Sequence, residues 1–273
     1  MIRDLRIAVI GAGVMGEAII GGLLRQELVI PEQIVATGPR PERRAELEAR
    51  HNIRTTEDNN EAAAWAQVVV VAVKPQTLPK VLPPLKGALR QGELIISTVA
   101  GAPIRHFTDM LGHLAVVRSM PNTPAQIGEG MTVWTASEAV TDAQRDWARV
   151  ILSSLGRELY VADENYLDMA TALSGTGPAY FFLLMEAMID AGVHLGFPRY
   201  MAQELVQQTM LGSVLYAMQS ETHPAELRNG VTSPGGTTAA AIYELERGGL
   251  RTVLSDAIWA AYRRSAELGK KTS

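Results

Sequence analysis

Three groups of residues have the types and spacing to do chemistry. The first is Gly11-Ala12-Gly13-Val14-Met15-Gly16, a G-x-G-x-x-G pattern directly after the apolar run Ile7-Ala8-Val9-Ile10. A strand, a glycine turn and a helix in that order bring backbone amides and a helix N-terminus up to a dinucleotide pyrophosphate. Gly11 then permits the tight turn, Gly13 the close approach of the phosphate, and Gly16 the packing of helix on strand. The plain alternative is a structural turn, because glycine is common in turns. The second group is Val231-Thr232-Ser233-Pro234-Gly235-Gly236-Thr237-Thr238, ahead of the apolar helix Ala239 to Leu245. Free amides and hydroxyls at a helix start can hold a small carboxylate and donate to a reacting atom. Its plain alternative is an N-terminal cap by Thr237 or Thr238, although a cap needs one hydroxyl and not the whole cluster.

The third group lies in segments that follow apolar strands: Ala72-Val73-Lys74-Pro75, Thr98-Val99-Ala100-Gly101-Ala102-Pro103 and Met120-Pro121-Asn122-Thr123-Pro124. Loops at the carboxyl ends of parallel strands border a bound cofactor. Ala100 and Gly101 are small where a nicotinamide ring needs space, and Asn122 and Thr123 bring polar groups with no evident structural duty. Ser174-Gly175-Thr176-Gly177-Pro178 precedes a long helix and reads most simply as a flexible turn with proline at the first helical position. Tyr180, at the start of that helix, faces either substrate or core.

The second strand ends in Ala36-Thr37-Gly38-Pro39-Arg40-Pro41-Glu42-Arg43-Arg44. An acid at this place takes the ribose hydroxyls of NAD, and none is present. Arg40 can instead pair with a 2′-phosphate through its planar fork, which favours NADP over NAD. Against that stands a solvated helix start for Arg40, Arg43 and Arg44. The chain has no cysteine, and His51, His106, His113, His194 and His223 are scattered without ligand spacing, so no metal site is expected. His223, before Pro224 in a loop or helix end near the proposed site, reads as a structural or surface histidine or, alternatively, as part of that site.

These groups need a scaffold. Short, nearly all-apolar strands are expected at Ile7 to Ile10, Ile34 to Thr37, Val68 to Val73, Leu94 to Thr98 and Ala115 to Arg118, with Met131 to Thr135 and Glu158 to Val161 as additions. Helical patterns alternate with them at Met15 to Gln26, Pro41 to Arg50, near Glu61, Thr77 to Leu89, Ile104 to Leu111 and Glu138 to Leu155. That alternation is a doubly wound α/β domain, assigned to residues 1–162. Residues 163–273 read as almost pure helix: Asn165 to Leu173, Pro178 to Leu195, Pro198 to Gln219, Thr237 to Arg247 and Leu250 to Leu268. So many apolar residues in a small helical domain point to burial shared with a second subunit.

An apolar share of 47% with 20% charged residues fits an ordinary soluble protein, and a net charge of -4 gives no reason to expect nucleic acid or an anionic membrane as partner. Met1 to Arg6 leads straight into a strand, leaving no room for a signal peptide. The stretch Phe181 to Met185 meets Glu186 and Asp190 too soon to span a bilayer. A cytoplasmic location is expected, compatible with the absence of cysteine.

Taken together, Gly11 to Gly16, Ala72-Val73-Lys74-Pro75-Gln76, Met120 to Pro124, Leu173-Ser174-Gly175-Thr176-Gly177-Pro178-Ala179-Tyr180, Gly196-Phe197-Pro198-Arg199 and Val231 to Thr238 resemble the pyrroline-5-carboxylate reductases, nearly end to end. The S-G-x-G-P-A-Y and S-P-G-G-T-T segments are specific; the glycine turn alone is not. The resemblance implies an N-terminal Rossmann-type sheet with an all-helical C-terminal dimerisation domain. It implies reduction of the cyclic imine 1-pyrroline-5-carboxylate to L-proline with NADPH, NADH being less favoured. It also implies that Thr238 contacts the ring nitrogen, that Thr237 and neighbouring amides such as Gly236 meet the substrate carboxylate, that Glu164 lies near the substrate, and that Asn59 contacts the adenosine ribose. The cofactor would be held by Gly11, Ala12, Gly13, Val14, Met15, Gly16, Arg40, Asn59, Ala72, Val73, Lys74, Pro75, Ala100, Gly101 and Asn122. Members pair into homodimers with interleaved helices, and some assemble into decamers. One departure is Asn229-Gly230, where relatives carry an acid–asparagine pair; a cofactor contact from the second position is lost or passes to Asn229.

Two rival readings remain at this level. A 3-hydroxyacid dehydrogenase of the same plan takes the alcohol proton on a lysine of the central helix, and this chain has no lysine between Lys86 and Lys270. A non-catalytic NADP-binding module has no use for the Thr237-Thr238 cluster.

Overall fold

Strands without a polar face must be covered on both sides, and the sheet obeys. The computed structural model describes residues 2–90 and 92–271. Its strands are β1 (Ile7–Ile10), β2 (Ile34–Thr37), β3 (Arg54–Thr56), β4 (Val68–Val71), β5 (Leu94–Ser97), β6 (Val116–Met120), β7 (Gly130–Ala136) and β8 (Gly156–Tyr160). They form one sheet in the order β3-β2-β1-β4-β5-β6-β7-β8. Ile7 lies opposite both Ile34 and Val68, and every pairing is parallel except β6 with β7, where Val117 faces Ala136. The order reverses between β1 and β4, so their carboxyl ends form the crevice in which such sheets bind ligands.

Alternation along β1 splits the core in two. Ile7 and Val9 join Ile19, Leu23 and Leu152 on one face, and Ala8 and Ile10 join Leu82 and Phe107 on the other. The first layer is covered by α1 (Val14–Arg25), α2 (Pro41–His51) and α6 (Asp142–Ser153), the second by α3 (Asn59–Trp65), α4 (Leu78–Leu85) and α5 (Ile104–Leu111). Helix α6 starts later than its apolar pattern suggests, because Thr141 and Gln144 form a capping box. Helix α4 stops earlier, with Pro83 and Pro84 in its last turn. β3 was not expected: Arg-Thr-Thr is polar and three residues long, and it lies at a sheet edge.

The helices continue as α7 (Tyr166–Ala170), α8 (Gly177–His194), α9 (Arg199–Gln219), α10 (Pro224–Gly230), α11 (Thr237–Arg247) and α12 (Leu250–Lys271). Between α7 and α8 the chain is no flexible turn. Thr171–Gly175 is a π-helical segment, closed by Thr176 N–H donating to Thr171 O at 2.8 Å. Three hydroxyls occupy carbonyls around it: Thr171 Oγ1 on Leu167 O, Ser174 Oγ on Ala170 O and Thr176 Oγ1 on Thr171 O. Helix α10 was not expected either. Its Pro224 takes the first helical position and His223 caps it, Nδ1 accepting from Ala225 N–H at 3.2 Å.

The chain divides into two compact units, one reaching through Pro178 and resuming at Ala260, the other Ala179–Trp259. The first therefore takes in α7 and the end of α12, beyond the expected boundary at residue 162. Leu167 and Ala170 pack on Val133 of β7, which binds α7 to the sheet. Within the second unit, among the described residues, only Ala202 and Val206 are buried. Phe181, Phe182 and Leu183 of α8 and Leu211, Val214 and Leu215 of α9 are exposed. The helical run Tyr166–His194 is long and apolar enough to cross a membrane by length and composition, in contrast to the exclusion drawn from Glu186 and Asp190.

Candidate active site

The glycine turn sits at the switch point between β1 and β4. Gly11 has φ +88°, a conformation costly for other residues, and a β-carbon there would lie 2.5 Å from Val73 Cγ1 and 3.2 Å from Ala72 O. A β-carbon at Gly16 would stand 2.8 Å from Gly11 O and 3.0 Å from Val9 Cγ1, so this glycine lets α1 lie against β1. Gly13 differs: nothing lies within 4 Å of where its β-carbon would be. It is the N-terminal cap of α1, and beyond it the first-turn amides have no partner in the helix. Tight turn, open approach and free amides together suit a pyrophosphate, so the residues fit a dinucleotide.

Around the turn, Ala12 N–H donates to Thr37 O and Gly11 N–H to Thr37 Oγ1, whose hydroxyl donates to Asn59 Oδ1 at 2.6 Å. Asn59 thereby stands at the carboxyl end of β2, beside the glycine turn. Behind the turn, Glu17 of α1 pairs with Arg43, Arg50 and His51 of α2. Burial raises the Glu17 carboxyl, but the hydrogen bonds from Arg43, His51 and Arg50 outweigh it and hold the group at about 2. Arg43 also donates to Ala12 O, and Arg44 to Gly38 O at 2.7 Å. Those two arginines are structural. Arg40, the N-terminal cap of α2, is exposed and has no ion pair among the described residues. Lys74, exposed after β4, is likewise without one.

The loops after β5 and β6 are more committed than the sequence suggests. Gly101 has φ +67°, and a β-carbon there would lie 3.0 Å from Leu268 Cβ, so the packing of α12 accounts for its small size. Ala100, beside it, is half-buried. Asn122 does have a structural duty. Its Oδ1 accepts from Met131 N–H at 2.9 Å and its Nδ2 donates to Ser174 O at 3.1 Å, tying the loop to β7 and to the π segment. Glu164 is also engaged, accepting from Ile104 N–H at 2.8 Å and from Arg118 Nη1 at 3.0 Å. Arg118 was overlooked. The available signal was one charge following the apolar run Ala115-Val116-Val117 in a strand, and in β6 it is an interior, buried position that demands partners.

In the second unit, Gly236 N–H donates to Ser233 O at 3.1 Å, and Gly235 between them has φ +70°. With Pro234 this forms a tight turn in which only glycine suits that φ. The cap of α11 is Gly236, without a side-chain hydrogen bond, so neither threonine caps the helix. Thr237 and Thr238 are its first two residues.

Two family models cover most of the chain: pyrroline-5-carboxylate reductase dimerisation over residues 164–268, and NADP oxidoreductase, coenzyme F420-dependent, over residues 6–101. The pyrroline-5-carboxylate reductase of Pseudomonas aeruginosa is 46% identical, with 97% of each chain covered. That of Synechocystis is 42% identical, over 98% of this chain and 100% of the relative. The crystal structure of Plasmodium falciparum pyrroline carboxylate reductase with NADP bound superposes with a TM-score of 0.91 at 31% identity, covering 98% of this chain and 99% of the other. With both halves matched and these relatives aligned end to end, the chain belongs to the pyrroline-5-carboxylate reductase family.

Proposed function

We propose that this protein reduces 1-pyrroline-5-carboxylate to L-proline, with NADPH preferred over NADH. The observation that carries the reading is the full-length match to reductases of that name in distant organisms. The geometry supports it independently. Gly11 packs close to Ala72 and Val73, Asn59 hydrogen-bonds Thr37 at the end of β2, and Arg40 is exposed without an ion pair among the described residues, which suits a 2′-phosphate. Bound there, NADPH supplies a hydride.

The reaction asks positioning of the protein more than acid–base strength. The substrate is a cyclic imine whose carbon accepts hydride best when the nitrogen is protonated. Thr238 orients and hydrogen-bonds that nitrogen; an ordinary hydroxyl is poorly matched to proton transfer near neutrality, so solvent or substrate carries the proton. Thr237, with the amides after Gly236, receives the carboxylate at the start of α11. Glu164, held by Arg118 and Ile104 N–H, contributes through what it orders near the substrate.

Self-association follows from the second unit, whose apolar helices have almost no core of their own. We assign it a homodimer of interleaved helices, open to further assembly, and propose a cytoplasmic location, with which a chain without cysteine is compatible. The test is NADPH oxidation with 1-pyrroline-5-carboxylate, proline being identified as product. Substrate-dependent oxidation to proline is expected. Bound NADPH without turnover on any cyclic imine favours the non-catalytic reading instead.

A further inference from the structure

Arg118 lies in the buried strand β6 with 5% of its side chain exposed, and two carboxylates close on it. Glu164 sits 3.0 Å from Nη1 and Asp168 2.9 Å from Nη2. Each carboxylate has a second duty. Glu164 Oε1 accepts from the N–H of Ile104, the first residue of α5. Asp168 Oδ1 accepts from Ser265 Oγ of α12 at 2.8 Å. The segment Thr98 to Pro103 joins β5 to α5, and the same turns of α12 cover its middle. A β-carbon on Gly101 would meet Leu268 Cβ at 3.0 Å, Ser265 O at 3.4 Å and Gly269 N at 3.5 Å. One buried cation thus holds both the exit of the segment, through Glu164, and the helix above it, through Asp168. A cavity of about 310 Å³, lined by Gly101, Pro103, Arg118, Glu164 and Asp168 among others, lies at the same place.

Burying an ion triad costs desolvation that apolar residues would avoid, so it is poor evidence for stability and better evidence for a need to fix geometry. A guanidinium suits that need, because its planar fork donates in two set directions where an ammonium is a movable point charge. We propose that Arg118 is a positioning residue for hydride transfer. By gripping Glu164 and Asp168 it sets the Thr98–Pro103 segment at the carboxyl end of β5, where the nicotinamide end of the cofactor would rest. The inference depends on the reductase reading for its reaction, and on the structure alone for the grip.

Full-length Arg118→Lys and Ser265→Ala variants test it. Hydrogen exchange over residues 98–111 is read without substrate. The kinetic constants are read with 1-pyrroline-5-carboxylate and with NADPH deuterated at the transferred position. Arg118→Lys should fold and bind NADPH within about threefold of wild type, while kcat falls about 10- to 100-fold with KM much less affected. Exchange around Gly101 to Ile104 should quicken, and the isotope effect on kcat should rise because hydride transfer becomes limiting. Ser265→Ala should show a smaller change of the same kind, and it decides the matter if Arg118→Lys does not fold. Wild-type exchange and kcat in folded variants overturn the proposal. So does a fall in kcat with exchange and isotope effect unmoved, which makes Arg118 merely structural. A wild-type enzyme that does not reduce the imine sinks the reductase reading, while faster exchange in Arg118→Lys would still support the grip.

Discussion

Gly13 and Gly16 belong to one motif, and their surroundings set them opposite tasks. Since nothing in the protein would touch a β-carbon at Gly13, whose φ of -76° suits any residue, Gly13→Ala should fold as well as wild type. It should nevertheless weaken NADPH binding tenfold or more, on the order of 1.4 kcal/mol, because the new methyl occupies the phosphate's approach. Gly16→Ala meets Gly11 O and Val9 and should lose about 1–3 kcal/mol of stability by overpacking. Thermal unfolding and NADPH titration of the pair separate the two tasks. Arg40, whose side chain has no ion pair among the described residues, should act on the cofactor alone. Arg40→Ala should raise KM for NADPH about 10- to 100-fold, the worth of a charge-assisted hydrogen bond or two, and leave KM for NADH nearly unchanged. Equal effects on both cofactors would make Arg40 structural. Thr238→Ala should lower kcat about 100-fold, as the loss of a donor to a reacting atom does elsewhere, with NADPH affinity intact. Turnover near wild type removes Thr238 from the mechanism.

At the scale of elements, Glu17 clasps α1 to α2 and, through Arg43 on Ala12 O, braces the glycine turn. Its carboxyl titrates at about 2 in the folded chain against an ordinary value of 4.5. A depressed carboxyl stabilises the fold fully above its unfolded value, and the contribution disappears as pH falls from about 4.5 towards 2. Glu17→Gln should therefore cost on the order of 2–3 kcal/mol near neutrality. The gap to wild type should narrow steadily in denaturant titrations taken below pH 4.5, and a gap independent of pH would refute the clasp. The π segment is the other element-scale feature. Such segments are rare and cluster at functional sites. This one is gripped by Asn122, while Gly175 leaves room for Met120, whose Cε would lie 2.6 Å from a β-carbon there.

At the scale of the molecule, the exposed apolar side chains of α8 and α9 fit the self-association that the matched dimerisation family supports. Leu183→Glu, at a site 68% exposed in the isolated chain, should weaken self-association or cause aggregation in light scattering and lower turnover with it. A monodisperse, active monomer would show that the helical unit stands alone. Local pattern in the sequence determined much of this protein: the glycine turn, most strands of the sheet, the helical second half and its surplus of apolar residues. Each of these is written in neighbouring residues, as periodicity, turn chemistry or composition. The sequence pattern also pointed to Thr237 and Thr238 at a helix start. Tertiary structure decided what depends on residues far apart. It added the polar edge strand β3, and it turned Ser174 to Pro178 from a flexible turn into the end of a π segment. It committed Arg43, Arg44, Asn122 and Glu164 to protein partners while leaving Arg40 without an ion pair among the described residues. It also joined Arg118 to Glu164, Asp168 and, through Asp168, Ser265. A hydrogen bond across 97 residues leaves no local pattern, because its geometry is fixed only when the sheet and the last helix have folded together.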